Sequence, residues 1–294
     1  MPADEACRCC GQVALRSHVT DVRGTDTADR FAIERCAACG VLRTIPVPED
    51  LTPYYATDLA ATMTRPGSRL FAALRRLQLG RELRRITRHG DPGTVLDVGC
   101  GAGDFVSVVA RRGLQAVAAD GGALPPVALR GQAIPYVRFD FETYAVHGLG
   151  DRRPDTVVLR HVLEHVRDPS ACLSSLRRAG ARQLYVVVPD AGSLERRLLG
   201  PHWYLWDPPR HLWHFDRSAL ERVCARAGFR VVARGVDTAP VLLPSLYRWL
   251  RLRGWPARAY ERFGPTSPLT ALSSPLSLVL PGNVLWLVAR TGGD

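Results

Sequence analysis

The chain contains no lysine. All 39 basic side chains are arginine, and against 28 acids they leave a formal charge of +11. A basic balance built on one residue type, with alanine and leucine abundant, reads as GC-rich coding bias. It is therefore a poor pointer to nucleic acid. The arginines are scattered as pairs (Arg75-Arg76, Arg111-Arg112, Arg152-Arg153, Arg196-Arg197), as on solvated helix faces. No uninterrupted apolar stretch reaches about 18 residues, so no membrane-spanning helix is expected. Met1 to Cys10 is polar and carries acids, so no export leader is expected and the cytoplasm is the expected compartment. Eight cysteines under those conditions suggest metal ligation or free thiols rather than disulfides.

What is present is a strand, a glycine turn and a helix in immediate succession. Thr94 to Leu96 and Val98 read as a short buried strand, and a helix opens at Asp104-Phe105-Val106. Between them Gly99, Gly101 and Gly103 alternate, with Asp97 ahead of them. This differs from the dinucleotide fingerprint G-x-G-x-x-G. A cationic, phosphate-free ligand suits the acid better than a pyrophosphate would. Four further strands follow at regular intervals: Ala116–Asp120, Ile134–Phe141, Asp155–Leu159 and Leu184–Pro189. Three of the first four strands carry an acid at or near the carboxyl end, where open α/β sheets bind ligands. Asp120 stands where a carboxylate can accept from two ribose hydroxyls. With helical stretches between them, these strands predict a parallel sheet covered on both faces.

Cys7 to Gly11 and Cys36 to Gly40 form paired C-x2-C-G turns with 25 residues between Cys10 and Cys36. Each turn can aim two thiolates at one ion, so Cys7, Cys10, Cys36 and Cys39 suit a tetrahedral structural zinc site. Cys9 is left out because Cys10-Gly11 matches Cys39-Gly40. Phe31 to Arg35 reads as a strand entering the second turn, so a β-ribbon is expected. A linker follows, and Ser68 to His89 has near-helical apolar spacing. That helix is expected to cover a ligand, or simply to pack, with Tyr54-Tyr55 leading in beside the substrate.

Three histidines stand where a base would serve. His161 and His165 follow the fourth strand, and His211 lies in the segment after the fifth. His161 to His165 also fits H-x-x-E-H. It follows a sheet strand and ends at Asp168-Pro169 rather than running along a long helix, which argues against a zinc protease. Trp203, Trp206, Trp213 and Phe215 read either as walls for a planar acceptor or as core. His214 reads as packing. Asp216 to Ala227 is expected as a helix closed by Gly228, Phe229–Val236 as a sixth strand and Asn283–Arg290 as a seventh.

The cysteine ribbon, the run LDVGCGAGDF, the run VLRHVLEHVRDP and the run WDPPRHLWHF together resemble bacterial zinc-ribbon S-adenosylmethionine (SAM) methyltransferases of class I. The core is also similar to the quinone-ring O-methyltransferases of ubiquinone biosynthesis. The resemblance covers roughly residues 7 to 237 and the final strand. It implies a seven-stranded, Rossmann-like α/β sheet with a small zinc ribbon at residues 1–50, a linker and covering helix at 51–92, and the methyltransferase domain at 93–294. It also implies SAM as cofactor. Asp97, Gly99 and Gly101 would line its methionine part, Asp120 would hold the ribose, and Asp140 and Phe141 would bracket the adenine. Arg160 would lie near the SAM carboxylate. The quinone enzymes resemble His161 to His165 with E-x-x-E-H, which can hold a divalent cation. Histidine replaces the first acid here, which weakens that reading. The implied reaction is methyl transfer to a small sugar, lipid-linked or secondary-metabolite acceptor. An RNA methyltransferase that grips nucleic acid with the ribbon is the alternative, and a SAM-binding protein without methyl transfer is a third. The insertion at 239–282, rich in leucine, proline and serine, reads as a lid, a homodimer face or a peripheral membrane contact.

Overall fold

A computed structural model describes residues 6–13, 15–24, 29–55, 69–239, 241–251 and 282–292. The chain divides into two compact units. One comprises Met1–Met63, Val188–Leu220 and Gly235–Leu285. The other comprises Thr64–Val187, Glu221–Arg234 and Trp286–Asp294.

The first unit is built on a four-stranded sheet in the order β1-β2-β3-β10. Its strands are β1 (Leu15–Arg23), β2 (Arg30–Cys36), β3 (Leu42–Ile45) and β10 (Trp213–His214). Three come from the cysteine segment and are antiparallel neighbours. The fourth is recruited from far downstream and pairs Trp213 with Arg43 and His214 with Leu42. Val22, Ile33 and Leu42 pack with Ala191, Trp203 and Trp206. Both tryptophans are fully buried and stand edge to face at 5.1 Å. Trp213 and Phe215 are buried too. These rings are core, not acceptor walls: burying such large apolar surfaces is what lets a small sheet hold together. Helix α1 (Thr52–Tyr55) also belongs to this unit. Tyr54 donates its hydroxyl to Asp29 at 3.0 Å and stands edge-on to Phe31, so it packs on the cysteine-bearing sheet. Helices α5 (Leu194–Leu199) and α7 (Leu242–Arg251) complete the described part.

The second unit is built on an eight-stranded sheet in the order β11-β12-β9-β8-β4-β5-β6-β7. Its strands are β4 (Val95–Val98), β5 (Ala116–Asp120), β6 (Tyr136–Phe139), β7 (Val146–His147), β8 (Thr156–Arg160), β9 (Gln183–Pro189), β11 (Phe229–Asp237) and β12 (Val284–Thr291). From β4 the chain moves outward through β5 and β6, then returns to β8 and β9 on the other side. All four pairings among these five are parallel. The reversal between β4 and β8 is a topological switch point, which opens a crevice at the carboxyl ends of the strands. The expectation of seven strands is corrected to eight. The additional one, β7, is two residues long and antiparallel to β6, too short for any alternation to show in sequence.

Helices α2 (Arg69–Thr87), α3 (Asp104–Arg111), α4 (Pro169–Arg178) and α6 (Arg217–Arg226) separate the strands. The start of α4 is fixed locally: Asp168 accepts from the Ala171 N–H at 2.8 Å, and Pro169 takes the first turn, where no N–H is needed. Among the described residues no helix is long and apolar enough to cross a membrane. Most of the insertion expected at 239–282 lies outside the described residues.

Candidate functional site

The glycine turn sits at the carboxyl end of β4. Gly99 has φ +68°, and a Cβ there would come within 2.5 Å of Val162, so the protein's own packing demands glycine. Gly101 has φ +52° and a Cβ would meet nothing within 4 Å. The space above Gly101 is therefore open to a ligand while its backbone remains in a conformation that favours glycine.

Two acids frame this turn. Asp97 is 2% exposed on β4. Burial pushes its carboxyl up to about 7, against the pull of Arg160, with Asp120 and Glu82 adding to the rise. Asp120 ends β5. One of its oxygens accepts from the Gly101 N–H at 3.0 Å and the other from the Gly121 N–H at 2.8 Å. These bonds fix the carboxylate over the turn that follows the neighbouring strand.

Asp140 follows β6 and accepts from the Glu142 and Thr143 N–H groups at 2.8 and 3.0 Å. Those backbone bonds hold its carboxyl below the usual range. It thus closes its own turn with one oxygen. Phe141 stands edge-on to Phe139 at 4.9 Å. A Cβ on Gly121 would lie 3.3 Å from the Phe141 ring, which places the ring beside the end of β5.

Arg160 ends β8. Its Nε donates to Glu82 Oε2 of α2 at 2.6 Å, with the two side chains 13% and 3% exposed. Glu82 is the buried partner that holds Arg160 in place. It is the single acid in the helix RLFAALRRLQLGRELRRIT, but its partner lies 78 residues away, so spacing alone does not reveal the pair.

His161 comes next, in a left-handed backbone conformation at φ +55°. Its side chain is 47% exposed, and its Nδ1 lies 3.2 Å from Oε1 of the wholly buried Glu164. When Glu164 is ionised it only accepts, so Nδ1 is the donor in this contact and Nε2 is the nitrogen facing away from it. His165 is half-buried and donates its backbone N–H to the Val162 carbonyl. His211 belongs to the first unit. Its Nδ1 donates to the Leu205 carbonyl at 2.8 Å, and its backbone N–H donates to the Asp207 carbonyl. Asp207 in turn accepts two bonds from Arg210, at 3.0 and 2.7 Å. His214 is 2% exposed, and burial drives its ring well below the ordinary histidine range.

The first unit also brings Cys7, Cys10, Cys36 and Cys39 together, with all four sulfurs within 4.8 Å of one another. The Cys7–Cys39 and Cys10–Cys36 sulfur separations are 3.7 and 3.6 Å. Four zinc–sulfur bonds of about 2.3 Å make a tetrahedron with edges of about 3.8 Å, so the donor set fits zinc. The hydrogen bond with Cys7 and then burial push the Cys39 thiol up, and burial does the same to Cys10. A divalent cation reverses that preference by binding thiolates. Cys9 is buried and in hydrogen-bond contact with Cys7, but it is not one of the four mutually close sulfurs.

A parallel sheet with a glycine turn after its first strand and acids at successive strand ends defines the class I methyltransferase fold. Residues 71–234, more than half the chain, match a family model described as a methyltransferase domain, and the chain belongs to that family. The ubiquinone biosynthesis O-methyltransferase of Xanthomonas euvesicatoria pv. vesicatoria is 38% identical over 129 residues, which cover 41% of this chain and 54% of that protein. The enzyme of the same description from Chelativorans sp. (strain BNC1) is 28% identical over 170 residues, covering 54% and 66%. The chain thus spans about one third to two thirds of the length of the curated relatives it matches. Among solved structures, the magnesium protoporphyrin IX methyltransferase of Synechocystis PCC 6803 with bound SAH is 15% identical, with 79% of this chain and 92% of that chain covered and a TM-score of 0.49.

Proposed function

We propose that this protein transfers a methyl group from SAM to a small biosynthetic acceptor, with SAM held at the carboxyl edge of the second unit's sheet. The observation that carries this reading is the Asp120 carboxylate, pinned by the Gly101 and Gly121 N–H groups beside the open space above Gly101. The family match supports it. The description of the curated relatives as O-methyltransferases of ubiquinone biosynthesis supports oxygen as the acceptor atom; a sugar, lipid-linked or secondary-metabolite intermediate is the acceptor class we assign.

When bound, SAM supplies an electrophilic methyl group on a sulfonium. Everything else falls to the chain. Asp97 offers a buried negative charge near that cation, and Gly99 and Gly101 let backbone and ligand approach. Asp120 receives the ribose hydroxyls, and Asp140 and Phe141 flank the adenine. Arg160, anchored through Nε by Glu82, offers its Nη groups to the methionine carboxylate. His161 takes the acceptor's proton at Nε2, with Glu164 holding Nδ1–H and stabilising the charge that develops. His165 and His211 are the other acceptor-side histidines we assign. The four cysteines hold a structural zinc with no open coordination position.

Calorimetric titration with SAM and with S-adenosylhomocysteine tests the reading. Both should bind, and Asp120→Ala should weaken both by at least about tenfold through loss of charge-assisted hydrogen bonds. Failure of the native protein to bind either ligand overturns it.

A further inference from the structure

Thr44 is wholly buried on β3, just beyond the Cys36–Gly40 turn. Its backbone N–H donates to the Leu212 carbonyl at 2.9 Å. Its hydroxyl donates to the His211 carbonyl at 2.6 Å. That commits the hydroxyl proton, so the 3.0 Å contact between Thr44 Oγ1 and His214 Nε2 requires His214 to donate. One hydroxyl thus serves two histidines, as donor to one and acceptor from the other.

The rest of the circuit closes on His211. The His214 ring stands edge-on to Trp206 at 4.7 Å. Trp206 follows Leu205, whose carbonyl accepts from His211 Nδ1. His211 is therefore fixed at three points. Its N–H is held by the Asp207 carbonyl, its own carbonyl by Thr44, and its ring by Leu205. With Nδ1 donating, Nε2 is the ring nitrogen left to serve, and it lies 3.8 Å from Oδ2 of Asp207. Without the Thr44 hydroxyl, the His211 carbonyl and the His214 Nε2–H lose their partners in a dry core. The peptide would then turn to find others.

The cysteines enter through the strand itself. Cys36 N–H donates to the Val41 carbonyl, and Gly40 N–H to the Cys36 carbonyl, at 2.9 and 2.8 Å. The turn that carries Cys36 and Cys39 thus sets the register at which β3 leaves β2, pairing Ile33 with Thr44. A metal that locks the turn locks Thr44 in place.

We propose that Thr44 is a positioning residue for His211, and that the cysteine turn acts through β3 to fix which ring nitrogen His211 presents. The ribbon is then a brace for a histidine rather than a separate recognition module. This rests on the reading of His211 as an acceptor-side group.

The test uses the full zinc-loaded chain labelled with 15N-histidine, with the His211 ring signals identified by their loss in His211→Gln. The native ring should show the Nδ1–H tautomer alone, and Thr44→Ser should keep it. Thr44→Val should average the two tautomers and speed amide exchange at Leu212 to His214. It should also lower kcat by about tenfold while leaving KM for SAM unchanged, with Thr44→Ser restoring turnover. Stripping the metal from the native chain should loosen the same ring and amides. An unchanged single tautomer in folded Thr44→Val, or in the metal-free chain, overturns the proposal. If Thr44→Val does not fold, the metal-free native chain decides, and an unchanged single tautomer there overturns the proposal. If the tautomer shifts as expected but turnover does not, the brace stands and the acceptor-side reading of His211 falls.

Discussion

Glu82 and Arg160 are 78 residues apart in sequence and 2.6 Å apart in space. The pair ties helix α2 to the end of β8, at the edge of the sheet where ligands are expected. Both side chains are nearly dry, so neither charge can fall back on water if the other is removed.

Removing Glu82 should therefore hurt more than a surface mutation would. Glu82→Ala leaves a buried guanidinium without its counter-charge, a defect that costs about 3–5 kcal/mol in comparable buried pairs. Denaturant unfolding followed by far-UV circular dichroism should show that loss. A change within about 0.5 kcal/mol, the range of ordinary surface sites, would show that the pair does not hold the helix.

If Asp97 faces the bound cation as proposed, SAM affinity should depend on pH with a definite sign. Its carboxyl in the free protein is pushed up to about 7, so below that value it is mostly neutral and offers no charge to a cationic sulfonium. SAM affinity should rise with pH through neutrality, with proton release on binding, and Asp97→Asn should flatten the rise. The stability of the unliganded protein runs the other way. The folded-state pKa lies above the unfolded value, so this group's contribution is fully present below about pH 4 and is lost as pH rises through about 7. Titrations in buffers of different ionisation enthalpy measure the proton count directly, and an affinity that stays level from pH 6 to about 8 would contradict the assignment.

The cysteine group predicts a selective metal loss. Purified native protein should carry zinc in a one-to-one ratio, Cys36→Ser should lose it, and Cys9→Ser should retain it, because Cys9 lies outside the sulfur cluster. Elemental analysis by mass spectrometry decides. Stoichiometric zinc in Cys36→Ser would exclude the four-sulfur site.

The dyad of His161 and Glu164 predicts a loss of rate without a loss of cofactor. His161→Ala should reduce turnover by about 10²–10⁴-fold while SAM affinity stays within about twofold of native. Glu164→Gln should fall between the two, since an amide can hold the ring but cannot balance its charge. If His161→Ala and His211→Ala both kept full turnover, a base would have to be sought elsewhere.

The parts of this protein that could be read in advance are those written locally. The alternating glycines, the acids that close short apolar runs at Asp97 and Asp120, and the helix start at Asp168 each show in a pattern a few positions long. The sequence pattern therefore carries them directly. Thr44, Glu82 and the tryptophan core could not be read that way. Their partners at His211, Arg160 and Val22 lie far along the chain, and a threonine or a lone glutamate looks the same in sequence whether it is solvated or buried. The aromatics at Trp203 and Trp206 show the limit well, since a ring-rich run suits a ligand wall and a core equally until burial is known. Strand β7, at two residues, offers no pattern to find.

The pairing of Trp213–His214 with Leu42–Ile45 has an evolutionary consequence. Among the described residues, the later pair finds its strand partner only in the earlier one. A recombination event that added or deleted the cysteine segment at its apparent boundary near residue 50 would orphan a strand encoded in the far half of the gene. The two stretches are thus structurally interdependent although the chain separates them by about 170 residues.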